Sequence, residues 1–199
     1  NGAVKTPRYT CLNRENTADG GAFFFEDEQG RREVEPEDIG YVLSTPTVPD
    51  FLTGREFLKF FMDINRGSIT NPKPLDDYFD FISIPAEDRD RLMKDYSHGM
   101  KNKMQMLINF IANPALFLLD EPLTSLDVVV AEEMKQLLRE CKEGRIIIFS
   151  THLLDLAVDL CDEIVLLSHG MLQSVDHAAL DNDAFKEKIL DALREDGHA

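Results

Sequence analysis

The residues of this chain that could do chemistry stand at the ends of apolar runs. "FLLDEPLTSLD" (117–127) follows an apolar stretch with two adjacent carboxylates, Asp120 and Glu121, and closes on Asp127. A charge at the end of a buried strand is costly unless compensated, so such a pair has a job or a partner. "IIIFSTH" (146–152) brings Ser150 and His152 to the end of a second apolar run, and "YSHGM" (96–100) puts Ser97 and Gly99 just ahead of a helical pattern. There Ser97 can cap the helix, Gly99 lets backbone approach a ligand, and the helix N-terminus favours an anion. A lone histidine is usually structural. A cluster of Asp120, Glu121, Ser150 and His152 at strand ends is harder to dismiss.

Three apolar runs would position these groups: "ALFLL" (115–119), "IIIF" (146–149) and "IVLL" (164–167). Their unbroken apolarity predicts strands buried on both faces of a parallel sheet. Between the first two, Ala131, Met134, Leu137, Leu138 and Cys141 fall on one helical face and Gly144 follows as a stop. "LLDLAVDLC" predicts a second helix before the third run. Strand, helix, strand, helix, strand is a doubly wound α/β half, whose ligands belong at the carboxyl ends of the strands. Residues 52–113 differ. "GREFLKFFMDI" and "MKNKMQMLINFIA" are amphipathic helical patterns, and the stripe Met100, Met104, Leu107, Ile108, Ile111 reads as core. They predict a helical subdomain inserted into the α/β core. Ahead of it, "GAFFFEDEQGRR" predicts a strand and turn and "IGYVLS" a short strand; from Asp181 the pattern is an acidic amphipathic helix.

Composition bounds the function. At 199 residues, 43% hydrophobic and 29% charged, the chain has the size and make-up of one soluble globular domain with room for an insertion. A net charge of −16, from 21 basic and 37 acidic residues, argues against a nucleic-acid partner, which needs a basic face. A nucleotide needs only a small basic or amide-lined pocket. The three cysteines, Cys11, Cys141 and Cys161, have no metal-like spacing and read as reduced thiols of a cytoplasmic protein. No apolar stretch reaches the ~18 residues of a membrane span.

The motifs together resemble the nucleotide-binding subunits of ABC transporters, over nearly the whole chain. "FLLDEPLTSLD" resembles their Walker B strand and D-loop, "STHLLDLAVDLCDEIVLLSHGMLQ" their switch region, and "YSHGM" their signature in the form found in ABC-2 type exporters. "GYVLSTPTVPDFLTGREFLKF" resembles the Q-loop region and the start of the helical subdomain. The resemblance implies a P-loop NTPase (RecA-like) core with an inserted α-helical subdomain, binding ATP and Mg²⁺. It divides the chain into 1–51, the N-terminal part of the ATPase core; 52–113, the helical subdomain with the signature; 114–180, the core with Walker B, D-loop and H-loop; and 181–199, a C-terminal helix. It implies that Asp120 holds Mg²⁺ through water, that Glu121 is the general base or orients the attacking water, and that His152 contacts the γ-phosphate. Ser97 and Gly99 would serve the site of the opposite subunit, and Asp127 belongs to the segment that crosses to it. Implied partners are a second ATPase subunit, in a homodimer or heterodimer, and a membrane permease that holds the chain at the cytoplasmic face of the membrane.

The chain departs from that pattern at its start. "NGAVKTP" stands where the phosphate-binding loop GxxxxGK[ST] belongs, and it supplies Gly2, Lys5 on phosphate and Thr6 at the metal. Val4 occupies the place of the second glycine, where a β-branched residue is a poor substitute because the loop's amides must wrap closely around phosphate. Pro7 biases Thr6 away from helical angles. Ser44 stands where the Q-loop has glutamine. The expectation is a core lacking its first N-terminal strands, either a fragment or truncated product of an ABC ATPase, or a degenerate paralogue that keeps the fold as an interaction module.

Overall fold

The computed structural model describes residues 11–12, 16–28, 30–69, 71–124, 126–168 and 170–175. One compact unit comprises Ala18–Phe149; the other is made by described residues before and after it in sequence. The C-terminal helix expected from Asp181 lies outside the described residues.

In the larger unit, strands β1 (Phe24–Asp27) and β2 (Gly30–Glu33) form an antiparallel hairpin in the register Phe24↔Glu33. Its turn closes at Gly30, whose φ of +120° suits glycine. The Arg31 and Arg32 guanidinium groups lie 4.3 and 4.5 Å from the ring centres of Phe24 and Phe25. Strand β3 (Ile39–Val42) pairs in parallel with β4 (Leu116–Asp120), and β5 (Ile146–Ser150) flanks the other side of β4. The sheet is drawn tight at Gly40: a Cβ there would stand 2.7 Å from Pro114 Cγ and 2.9 Å from Asn109 Oδ1.

The helical segment begins with helix α1 (Gly54–Ile64), which a capping box starts: Thr53 Oγ1 accepts from Glu56 N at 3.1 Å, and Thr53 N donates to Glu56 Oε2 at 2.9 Å. Helix α2 (Leu75–Phe81) is tied to the loop after it by Arg89, which is 8% exposed. Arg89 donates to Ile84 O at 3.1 Å, pairs with Asp76 at 3.0 Å and with Asp80, and lies over the Phe79 ring. Helix α3 (His98–Ala112) ends at Asn113, a left-handed cap with φ 53°. Its Lys103 reaches helix α4 (Val128–Cys141), where Nζ donates to Glu133 Oε2 at 2.5 Å.

In the smaller unit, helix α5 (Leu154–Leu160) packs Leu154 and Val158 with Ile164 and Leu166 against Val175. Strand β6 (Ile164–Ser168) pairs antiparallel with β7 (Met171–Val175), in the register Ile164↔Val175. Here the strand expectations need correction. Burial on both faces holds for β4, all five residues of which are buried, but Ile146, Ile148 and Val165 are 51%, 41% and 52% exposed. The reason for the antiparallel pairing is the connection. Only two residues join β6 to β7, and a parallel return needs a crossover of a dozen or more.

Two stability predictions follow from burial. The Lys103 side chain is 6% exposed and that of Glu133 35%, so the charges are unequally replaceable. Glu133→Leu strands a buried ammonium and should cost about 1.5–3 kcal/mol in urea unfolding, whereas Lys103→Met leaves a carboxylate that water can reach and should cost less. Burial also pushes the Tyr96 phenol and the Cys141 thiol each up to about 12, from 10.0 and 9.0. Both groups hold their protons longer folded than unfolded. Their contribution is therefore complete below pH 9 and is lost as pH rises toward 12; urea midpoints between pH 8 and 11.5 should fall, and less steeply in Cys141→Ala.

Candidate active site

Asp120 is the last residue of β4 and is 6% exposed. The next residue, Glu121, turns the chain with φ at +49°, a left-handed conformation that costs a non-glycine residue about 1–2 kcal/mol. One threonine braces it twice: Thr124 N donates to Glu121 O at 3.1 Å, and Thr124 Oγ1 donates to Glu121 Oε2 at 3.1 Å. Pro122 and Leu123, the other residues of the turn, are buried. The turn thus re-aims the second carboxylate away from the strand direction that the first one follows.

Asp127 opens α4 as its N-cap: Oδ1 accepts from Val129 N and Val130 N, both at 3.1 Å. Ser97 opens α3 in the same manner, with Oγ accepting from Met100 N at 3.2 Å. The two caps are neighbours in space because Gly99 is buried against Val130. Ser97, Gly99 and Asp127 therefore form one corner, while Asp120 and Glu121 stand at the end of β4. Ser44 is exposed just beyond β3. His152 belongs to the smaller unit, where it is exposed on a turn in which Thr151 Oγ1 accepts from Leu153 N at 3.0 Å. Gly2, Lys5 and Thr6, with Val4 and Pro7, lie outside the described residues.

Among the described residues no group of three or more His, Cys, Asp or Glu could enclose a metal. Mg²⁺ keeps waters and takes one or two protein oxygens together with phosphates. Asp120, a hard oxygen donor at a strand end, fits one such ligand. No described helix is long and apolar enough to cross a membrane.

No family model matches the chain. It is 32% identical over 141 residues to a fluoroquinolones export ATP-binding protein of Mycobacterium tuberculosis, a match that spans 70% of this chain and 46% of that one. It superposes on a solved ATP-binding subunit of an ABC transporter with a TM-score of 0.72, at 21% identity, covering 95% of this chain and 84% of the other. A dimeric ATP-binding cassette in a post-hydrolysis state, bound to ADP and Pi, gives 0.68 at 17% identity, covering 87% and 80%. The chain belongs to the ABC transporter ATP-binding family. Its α/β core with a parallel β3–β4 pair is the ABC ATPase fold, as the motifs implied. The chain spans about half the length of the curated relatives it matches.

Sequence reading missed Thr124 and Val130. For Thr124 the signal was present: a threonine three residues after a turning acid is placed to hydrogen-bond back to it. For Val130 there was none, because only the packing of two helices brings it to residue 99. Two variants isolate the backbone strain at Glu121, since both lack its side chain. Glu121→Gly should be about 1 kcal/mol more stable than Glu121→Ala in urea unfolding, glycine alone being at ease with positive φ.

Proposed function

We propose that the chain is the ATP-hydrolysing subunit of an ABC-type exporter, working with ATP and Mg²⁺, paired with a second such subunit and coupled to a separate membrane permease at the cytoplasmic face of the membrane. The observation that carries this reading is the end of β4. A buried carboxylate, Asp120, is followed at once by a second, Glu121, which is turned into a left-handed conformation and braced by Thr124. Strain held in place by its surroundings concentrates at functional positions. In this reading Asp120 serves the metal side, Glu121 orients the attacking water, and His152 contacts the γ-phosphate, with Lys5, Thr6 and Gly2 at the phosphates. Ser97 and Gly99 present the N-terminus of α3, and Asp127 its neighbouring cap, to the site of the partner subunit. Export is favoured by the relative whose name carries it.

A second reading keeps the fold without productive hydrolysis: the chain supplies its Ser97 corner to an intact partner and its own site stays idle. Val4, Pro7 and Ser44 favour it. Turnover of Mg-ATP by the chain, alone and mixed with an intact homologue, separates the two. Where its own site works, Glu121→Gln should cost about 10²–10⁴-fold in kcat and leave nucleotide binding in place. A mild Glu121→Gln beside a Ser97→Arg that abolishes turnover in the mixed dimer selects the second reading.

A further inference from the structure

We propose that Val130 and Glu133 are positioning residues for the Ser97–Gly99 corner, and that residue 99 is glycine because Val130 of the same chain fills the space its side chain would need. A Cβ at 99 would stand 2.9 Å from Val130 Cγ1, 3.4 Å from Cγ2 and 3.6 Å from Cβ. The first distance is shorter than real Cβ contacts show. A branched side chain in the first turn of a helix has little freedom to retreat. One turn further along α3, Lys103 Nζ meets Glu133 Oε2 at 2.5 Å and Ser83 O at 3.4 Å.

Residues 99 and 103 stand four apart on one helix, and 130 and 133 three apart on the other, so each pair shares a helix face. Both contacts advance in the same chain direction. The two helices therefore start side by side and run locally parallel, with Ser97 and Asp127 capping adjacent first turns. Steric contact at the first turn sets how closely α3 approaches. The ion pair at the next turn sets its rotation about its own axis. Together they fix where the first turn of α3 stands relative to the Asp127 cap. This explains Gly99 from within the fold, independently of any ligand that approaches the corner from outside.

The effect of the corner on turnover rests on the ATPase reading; the packing claim does not. The test compares the full chain as wild type, Gly99→Ala, Val130→Ala and the double variant by urea unfolding, by hydrogen exchange of amides 97–103, and by Mg-ATP turnover with an intact homologous subunit. Gly99→Ala should raise exchange in that stretch and lower kcat by roughly tenfold, with KM little changed, and the double variant should return both to within about threefold of wild type. If Gly99→Ala does not fold, recovery of folding in the double variant is itself the rescue. A double variant no better than Gly99→Ala in stability and exchange overturns the proposal. So does one that recovers both while turnover stays lost, because glycine is then demanded by what approaches from outside. Absence of turnover in wild type refutes the ATPase reading, while exchange and unfolding still decide the packing.

Discussion

Helix α3 has no solvent side in its middle: residues 102–107 are all buried, so every face of that stretch must find an apolar neighbour or a hydrogen-bond partner. Met104, Met106 and Leu107 meet the first demand. Lys103 meets the second, and Gln105 Oε1 does not. Lys103 has Glu133 and a carbonyl, while Gln105 Oε1 is buried without a partner, an expense of about 1–3 kcal/mol. The helix packs on strand β3, on α1 and on α4, so a shift of this one element would disturb sheet, helical segment and capped corner together. That is the constraint on which the rest of the larger unit depends.

Glu121 shows the converse economy. Its backbone is held in a conformation it would not choose, and the stability to hold it comes from β4, buried along its whole length. A strand exposed on one face could relax at its end; one buried on both cannot. The all-apolar run is thus what lets an acidic residue be turned out of the strand direction without the turn unwinding, and Thr124 removes the remaining freedom of its side chain.

Much of this could be read before any coordinates. The β4 run, the acids that close it, the two amphipathic helices of the helical segment and the N-cap at Ser97 all follow from local rules of burial, period and capping. What local rules could not supply is what surrounds an element. "IIIF" and "IVLL" have the same apolar continuity as β4, yet each leaves residues open to solvent, because continuity reports the residues and not their neighbours. The β6–β7 hairpin was legible in the short "SHG" link and was masked by the strength of the apolar run before it. The exposed Ile146 and Ile148 teach the same lesson on a strand whose type was read correctly. Gly99 is the subtler case. A glycine before a helix invites a ligand-centred explanation, and only the position of Val130, thirty-one residues on, offers a different one.

The two explanations of Gly99 also differ in what they say about charge. Two helices that start side by side and run parallel bring two positive dipole ends together, which is unfavourable by itself. Asp127 offsets this for α4, since its carboxylate accepts two first-turn amides; Ser97 offers α3 a neutral hydroxyl and one accepted amide. The imbalance leaves the first turn of α3 as the more electropositive of the pair, with a compact side chain at 97 and none at 99 to shield it. Packing therefore has to hold together what electrostatics pushes apart. A close steric contact at 99–130 and a part-buried ion pair at 103–133 are the kind of fastening such a corner needs, because neither depends on the helix ends attracting each other.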